Sequence, residues 1–163
     1  MTCLDNICRL DHGKASISRD IWAIFQRAYL IEAQIVGAED FPPLNRTPEE
    51  IQFAKSAFTG LLDCTTLAAV AETQTDDNCL YVDSFVVDPK SFRKGFGSRL
   101  LRFILDESDC DTAFVETAAE NEPAVIFYKR FGFSEIDRWQ SQAGLQLVKF
   151  GMNLHFSQSM QLD

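Results

Sequence analysis

The stretch that decides the fold spans residues 85–101 and reads FVVDPKSFRKGFGSRLL. The β-type run Phe85–Val87 leads through an Asp-Pro pair to two glycines, Gly95 and Gly97, and a helical pattern follows directly. Unpaired backbone N–H groups converge at such a helix start, and the helix dipole favours an anion there. The stretch therefore predicts a phosphate-binding loop. The alternative is a plain helix start whose glycines allow close packing.

Basic residues are concentrated around the same loop. Five of the 15 lysines and arginines of the chain lie within it or beside it, at Lys90, Arg93, Lys94, Arg99 and Arg102. The glycine spacing does not fit a P-loop, which needs Gly-x-x-x-x-Gly-Lys-Ser/Thr. It does not fit the dinucleotide fingerprint either, because no third glycine stands three residues after Gly97. These two nucleotide-binding motifs are therefore excluded.

A second motif lies at residues 116–133, which read ETAAENEPAVIFYKRFGF. Asn121 is a preferred N-cap residue, a proline fits the first turn and Gly132 suits the C′ position, so a helix is predicted over Glu122–Phe131. Tyr128 follows Asn121 by two helical turns and is expected on the same helical face. The alternative for Tyr128 is an aromatic core residue whose hydroxyl lies at the edge of the core.

The rest of the pattern predicts a single α+β domain over 1–163, with a central mixed, mostly antiparallel twisted sheet flanked by helices. The other predicted helices cover 18–34, a segment from Thr47, and 95–107. Ser18 is the predicted N-cap of the first helix and Gly37 its stop. The predicted strands are Leu4–Leu10, Phe58–Leu62, Thr66–Ala71, Cys79–Val87, Ala113–Thr117, Phe133–Trp139 and Leu145–Asn153. Three of them, joined by short links, predict an antiparallel meander, and a polar tail is expected over 157–163.

The composition excludes several classes of function. The chain has 163 residues, of which 46% are hydrophobic and 24% charged, as is typical of a globular domain. Its formal net charge of −9, from 15 Lys+Arg and 24 Asp+Glu, argues against a nucleic-acid partner and favours a cationic or neutral one. The only histidines, His12 and His155, are far apart in the chain, so no metal site is predicted.

The cysteines and the amino-terminal region indicate a compartment. Five cysteines, an odd number, occur without a Cys-x-x-Cys pair, so we expect reduced thiols in a cytoplasmic protein. Charged residues interrupt the amino-terminal region before a signal-peptide run can form. No apolar stretch approaches the length of a membrane span, so no membrane association is expected.

Taken together, the two motifs resemble the GCN5-related N-acetyltransferase (GNAT) superfamily. The resemblance rests on Val-Val-Asp-Pro, Arg-Lys-Gly-Phe-Gly-Ser and Leu-Leu, followed by Asn-x-x-Ala-x-x-Phe-Tyr-x-x-x-Gly-Phe. It covers residues 58–153, the motif-bearing core of the chain. It implies a GNAT-like fold and acetyl-CoA, or another acyl-CoA, as cosubstrate. It also implies transfer of the acetyl group to a primary amine of a small molecule or protein by direct attack.

The resemblance further implies roles for individual residues. The strand before the loop would pair with pantetheine, the loop amides would hold the pyrophosphate, Asn121 would contact the cofactor arm and Tyr128 would protonate the departing thiolate. The implied cofactor-binding residues are Phe85, Val86, Val87, Arg93, Lys94, Gly95, Phe96, Gly97, Ser98, Asn121 and Tyr128. One departure from the family pattern is Phe92, which stands where relatives usually carry Arg or Gln.

Transfer to an amine also needs a base, because the ammonium group must first lose a proton. Glu116 is the first candidate, since it stands on the strand before the second motif, where some relatives carry a catalytic glutamate. Asp83 is the second, expected on the same strand face as Phe85 and Val87, and Glu72 is the third. The alternative for each is a solvated carboxylate at a strand end, with ordered water as the base.

The acceptor is the least constrained part of the prediction. Residues 39–43, Glu-Asp-Phe-Pro-Pro, lie in the region between helices that shapes the acceptor site in relatives, and acidic and aromatic residues there would suit an amine. A proline-rich surface connection is the alternative. Two other functions stay open, a non-catalytic acyl-CoA-binding module and an acyltransferase with a different acyl group or acceptor. A homodimer also stays open.

Overall fold

The computed structural model describes residues 6–155, which form a mixed sheet of seven strands between helices. The strands are β1 (Asn6–Arg9), β2 (Ala57–Asp63), β3 (Thr66–Asp76), β4 (Cys79–Val87), β5 (Thr112–Ala118), β6 (Ser134–Gln140) and β7 (Gln146–Asn153). The helices are α1 (Ala15–Val36), α2 (Pro48–Gln52), α3 (Phe96–Asp106) and α4 (Glu122–Phe131), with short 3-10 turns at Pro42–Asn45 and Pro89–Ser91. Leu4 and Asp5 of the predicted first strand, and the predicted tail 157–163, lie outside the described residues.

The strand order is β1-β2-β3-β4-β5-β7-β6. Every neighbouring pair is antiparallel except β4 and β5, which are parallel. This is the single α+β domain with a mixed, mostly antiparallel sheet that the sequence predicts, and the predicted meander is β2-β3-β4.

Local capping signals locate most of the helix ends. Thr47 and Glu50 form a capping box at α2, with hydrogen bonds of 2.7 and 3.2 Å between side chains and backbone N–H groups. Gly37 ends α1 in the left-handed conformation, as predicted, with a φ of 67°. Ser18 is not the N-cap of α1, because the helix begins earlier and the buried Ser18 hydroxyl donates to the Ala15 carbonyl at 3.1 Å. A serine side chain can bond a helix's own carbonyl as well as cap a helix, and here it does the former.

The third strand is longer than predicted. β3 continues to Asp76, beyond the predicted end at Ala71, because polar residues extend its ladder opposite β4. Asp77 and Asn78 make the two-residue turn to β4, both with positive φ, 46° and 61°. Residues of these types favour such turns. The apolar run stops at Ala71, so hydrophobic patterning alone could not show the extension.

Two apolar cores lie on opposite faces of the sheet. On one face, α1 and α2 bury residues such as Phe25 and Ile51 together with Phe58 of β2. On the other face, α3 and α4 bury residues such as Leu101 and Tyr128 with the sheet. Side chains of α1 and of α4 therefore approach the sheet from opposite sides.

A β-bulge in β4 changes which of its residues face each core. The register with β3 shifts so that Asp83 is an extra residue between Val82 and Ser84. Val82 and Phe85 then both belong to the core beneath α3, which strict alternation would not allow. The prediction that Asp83 shares a face with Phe85 and Val87 is therefore wrong, because the bulge interrupts the alternation.

The middle of the sheet is open. The parallel pairing of β4 and β5 ends at Val82 and Val115. Beyond this point β4 continues to Val87 beside β3, and β5 continues to Ala118 beside β7. The edge of β4 that faces the opening therefore carries backbone groups that have no strand partner on β5. An extended ligand can pair with such an edge.

Other features of the described residues concern compartment and metals. No helix within residues 6–155 is long and apolar enough to cross a membrane. The same residues contain no group of three or more His, Cys, Asp or Glu side chains that could hold a metal ion. Cys8, Cys79 and Cys110 are free thiols, whereas Cys64 is disulfide-bonded. The expectation of reduced cysteines is therefore wrong for Cys64.

Candidate active site

The opening between β4 and β5 leads into a groove of about 520 Å³, the β4–β5 groove. The predicted cofactor-binding residues that line it are Phe85, Val86, Val87, Arg93, Gly95, Phe96, Gly97, Asn121 and Tyr128. Lys94 and Ser98 point elsewhere. The Lys94 Nζ atom lies 3.5 Å from an Asp63 carboxylate oxygen, and Ser98 lines a separate cavity between α3 and α4. Most of the predicted set is thus assembled around one groove.

The two loop glycines are required for different reasons. Gly95 precedes α3 in the left-handed conformation, with a φ of 77°, and a Cβ atom there would meet nothing within 4 Å. It leaves open space at the amino end of α3, where an anion is favoured. Gly97 lies against β4, where a Cβ atom would come within 3.3 Å of Val87 Cγ2. The open space at Gly95 therefore agrees with the predicted phosphate-binding loop, whereas the contact at Gly97 agrees with the alternative, a glycine that allows close packing.

A second cavity of about 480 Å³ adjoins the groove; we call it the acidic cleft because Glu32, Asp83 and Glu116 line it. The predicted acceptor region contributes Phe41, Pro42 and Pro43 to its wall. The residues that line both the cleft and the groove are Glu32, Phe85, Asn121, Ala124 and Tyr128. The two cavities therefore meet at these five residues, which we call the junction.

Tyr128 is the most buried polar side chain of the junction. It is 5% exposed, and its ring packs against Phe85, Phe127 and Phe133. Its hydroxyl makes no hydrogen bond within residues 6–155, although it borders both cavities. Burial, reinforced by the nearby charge of Glu32, raises the pKa of Tyr128, so the phenol keeps its proton at neutral pH. The hydroxyl is thus a proton donor that faces the cavities without a protein partner.

Asn121 and Glu32 form the opposite wall of the junction. The Asn121 side chain caps α4, as predicted, by accepting a hydrogen bond from the Ala124 N–H at 3.4 Å. It also lies near Glu32, which comes from α1. Burial raises the pKa of Glu32, and the Asn121 amide offsets only part of this rise. A carboxylate with a raised pKa beside a buried tyrosine is suited to take up a proton.

Sequence reasoning missed Glu32. A signal was present, because Glu32 follows Ala28 and Tyr29 at helical spacing and therefore interrupts the apolar face of α1 with a charge. A charged residue at such a position is expected either to find a partner or to face a cavity.

Asp83 and Glu116 lie at the point where the strands separate. Each directly follows the last paired residue of its strand, Val82 on β4 and Val115 on β5. Asp83 accepts a hydrogen bond from Gln74 Nε2 at 2.5 Å, and burial raises its pKa despite this bond. Both carboxylates line the acidic cleft, so the structure brings the two first predicted base candidates together.

Glu72, the third base candidate, is part of a different arrangement. Its carboxylate accepts two hydrogen bonds from Arg46, at 2.6 and 2.9 Å, and others from Ser56 and Ser84, at 2.5 and 2.8 Å. Burial alone would raise the pKa of Glu72, but these donors outweigh it and lower the pKa. Glu72 lines neither the groove nor the acidic cleft, so the structure does not bring it together with the other two candidates.

These features define an acyltransferase-like site, and comparison with known families agrees. The sequence model of the acetyltransferase (GNAT) family matches residues 16–133. The chain belongs to this family.

Individual relatives add detail. The chain is 34% identical over 142 residues to the UPF0157 protein YqkA of Bacillus subtilis (strain 168), a match that covers 86% of this chain and 41% of YqkA. The chain thus spans less than half the length of this relative. It also resembles the structure of the ribosomal-protein-S18-alanine N-acetyltransferase from Escherichia coli, with a TM-score of 0.73, 22% identity, and coverage of 93% of this chain and 94% of that one.

A further similar structure is that of the PaiA N-acetyltransferase from Thermoplasma acidophilum, in complex with coenzyme A. The TM-score is 0.67 at 14% identity, over 90% of this chain and 98% of that chain. At this level of identity, the likeness to both solved structures concerns the fold.

Proposed function

We propose that the protein transfers an acetyl group from acetyl-CoA to a primary amine by direct attack. The observation that carries the proposal is the junction, where the hydroxyl of the buried Tyr128 borders both a groove and an acidic cleft and has no hydrogen-bond partner within residues 6–155. Such a junction lets one substrate enter from each cavity and keeps the reacting atoms beside a proton donor. Membership of the acetyltransferase family supports the same reaction class.

The β4–β5 groove has the features that acetyl-CoA requires. The open space above Gly95 and the amino end of α3 suit a pyrophosphate, and Arg93 adds a positive charge beside them. The edge of β4 from Phe85 to Val87 offers unpaired backbone groups to an extended pantetheine arm. Bound there, acetyl-CoA would supply the thioester that the amine attacks.

Two proton transfers would be carried out by residues of the protein, one to the departing thiolate and one from the ammonium group. The amine nitrogen forms a bond to the acetyl carbon, and the bond from that carbon to sulfur breaks. Tyr128 donates its proton to the departing thiolate as the negative charge develops on sulfur, and burial keeps the phenol protonated until then. The proton lost by the ammonium passes to a carboxylate of the acidic cleft.

Among these carboxylates, Glu32 is the best placed to act as the base. It lies at the junction with Tyr128, whereas Asp83 and Glu116 line the acidic cleft alone. Its raised pKa also brings it closer to the pKa of an ammonium group. Glu116 and Asp83, the candidates from sequence, stay as predictions for the same role.

Release of coenzyme A tests the reaction. The full chain would be incubated with acetyl-CoA and a panel of polyamines, aminoglycosides, amino acids and peptides, and free thiol would be measured. We expect release with at least one amine, and a loss of about 10²–10⁴-fold in kcat for Tyr128→Phe, which keeps the ring but removes the proton. Binding of acetyl-CoA without release on any amine would instead indicate a binding module.

Binding of the cosubstrate can be tested separately by calorimetry. Gly95→Ala places a methyl group over the loop, whereas Gly37→Ala adds the same strain at a left-handed position that lines neither cavity. We expect weaker binding of coenzyme A only for Gly95→Ala, and weak binding of pantetheine, which lacks the pyrophosphate, to the unmodified protein. Equal binding of coenzyme A by both folded variants would contradict the loop assignment.

A further inference from the structure

We propose that the acceptor is an aliphatic diamine or polyamine, whose reacting amine lies at the junction while a second ammonium group is held by Asp83 and Glu116. The inference rests on the proposed function, because it names the acceptor class of the same site. It is carried by the charges, the positions and the unpartnered group of the acidic cleft.

The acidic cleft has negative charge without a compensating cation. Three carboxylates line it, and its wall contains no lysine, arginine or histidine. The nearest cationic groups are otherwise engaged. Arg46 is bound by both oxygens of Glu72, and Lys149, the strand partner of Glu116, has its ammonium group 4.6 Å from the centre of the Phe114 ring. A cationic ligand would therefore complement the charge of the cleft.

The negative charge is divided between two places. Glu32 comes from α1 and lies at the junction, near Tyr128, Tyr29 and Asn121. Asp83 and Glu116 lie side by side where β4 and β5 separate, and they line the cleft without lining the groove. One ammonium group can neutralise one of these places. A second cationic group on the same molecule would neutralise the other, where the exposed Asp83 and Glu116 carry two negative charges close together.

An independent feature indicates that a ligand completes this cleft. Tyr128 is 5% exposed, and its hydroxyl faces the cavities without a hydrogen-bond partner in the described chain. The Tyr128 oxygen is accessible from the cavities, so a polar ligand group can reach it and form a hydrogen bond. Between the two charged places the wall includes Phe41 and Pro42, against which a short chain of methylene groups can pack.

The test compares two amines that differ in one charge. Putrescine and the amino alcohol of the same chain length both react through a primary amine, but only putrescine carries a second cation. Because either amine of putrescine can react, kcat/KM is compared per reactive amine. In the release assay with the full chain, we expect kcat/KM for putrescine to exceed that for the amino alcohol by about 10–100-fold, the value of one well-placed charged hydrogen bond. A ratio near one would overturn the proposal.

Variants locate the second charge. Asp83→Asn and Glu116→Gln are expected to lower the putrescine preference, mainly through a higher KM for putrescine, and the double variant should bring the ratio close to one. Asp20→Asn, which removes the same charge from an exposed position that lines neither cavity, should keep the ratio. If Glu116→Gln instead lowered kcat equally for both amines, Glu116 would be the base and the proposal would be wrong.

Direct binding separates the two proposals. Calorimetry would measure putrescine binding to the protein saturated with coenzyme A and to the protein alone. Binding that is lost in the double variant, without release of coenzyme A on any amine, would support the cation site and contradict the transfer reaction. Release with both amines at equal kcat/KM would support the reaction and contradict the cation site. Absence of both binding and release would contradict both.

Discussion

Glu72 of β3 and Glu32 of α1 are two carboxylates whose surroundings differ in one respect. Glu72 is bonded by an arginine and two serines, and the net effect is a lowered pKa. Glu32 lies near the Asn121 amide, forms no ion pair within residues 6–155, and has a raised pKa. Tyr29 lies between them and is influenced by both charges. Burial alone therefore does not tell the role of a carboxylate; its partners do.

The first and largest test of this contrast is Glu32→Gln. If Glu32 is the base, kcat should fall by about 10²–10⁴-fold in the coenzyme A release assay. Stability should not fall, because the fold disfavours the ionised form of Glu32 and glutamine removes that charge. The thermal midpoint is expected to be equal to that of the unmodified protein or higher.

A matched control for this variant is Glu107→Gln. Glu107 is exposed at the end of α3 and lines neither the groove nor the acidic cleft, so activity should be kept. If Glu32→Gln lost stability and kept its kcat, Glu32 would stabilise the fold as Glu72 does and would not be the base.

The second test is Glu72→Gln, which should affect stability first. Removal of one partner of a buried ion pair leaves the other charge uncompensated, and Glu72 and Arg46 have side-chain exposures of only 6% and 27%. We expect a loss of about 3 kcal/mol in the free energy of unfolding, the lower end for such pairs, because glutamine keeps an acceptor oxygen. Urea unfolding measures it. A loss no greater than that of a surface substitution would mean that the network is not structural.

A third, smaller effect is the pH dependence of stability, which should have opposite signs for the two residues. The lowered pKa of Glu72 contributes stability above its ordinary value of 4.5, and this is lost as pH falls through the lowered pKa. The raised pKa of Glu32 gives stability that is present below 4.5 and lost as pH rises through the raised value. Relative to the unmodified protein, Glu72→Gln should therefore be least destabilised in acid, and Glu32→Gln should gain most towards neutral pH. Parallel pH profiles of the two variants would contradict this.

The smallest expected effect on stability concerns a third carboxylate, Asp88, which is paired with the half-exposed Arg27. Arg27 of α1 donates to Asp88 at 2.6 and 3.1 Å, with side-chain exposures of 42% for Arg27 and 5% for Asp88. Water screens such a pair, and the Lys90 N–H still reaches Asp88 at 3.1 Å. Arg27→Met should therefore cost about 1 kcal/mol or less in urea unfolding. If Arg27→Met lost as much free energy of unfolding as Glu72→Gln, exposure of the cation would not determine how much an ion pair contributes to stability.

Features governed by neighbouring residues could be predicted from the sequence. The capping box of Thr47, the N-cap Asn121 and the left-handed Gly37 and Gly132 were all predictable, because each depends on backbone groups a few residues away. The site loop was found for the same reason. The N-cap role of Ser18 and the end of β3 were wrong, because both depended on what a polar residue meets in the fold.

The site itself was predicted in part. Most cofactor-binding candidates line one groove, and Asp83 and Glu116 line the adjoining cleft. The face of Asp83 was wrong because a bulge depends on the register with β3, which alternation in β4 does not contain. Glu32 was missed because it comes from a helix distant in sequence from both motifs.

The sequence by itself determined the family, the strand–loop–helix at Gly95 and the helix that carries Tyr128, since these are written in contiguous residues. Only the tertiary structure decided which carboxylate binds Arg46 and which faces the junction. Arg46 and Glu72 are 26 positions apart, and Glu32 and Asn121 are farther still, so each pair comes together only once the sheet and helices have packed. The ionisation of a carboxylate depends on burial and on nearby charges, and both are properties of the packed fold.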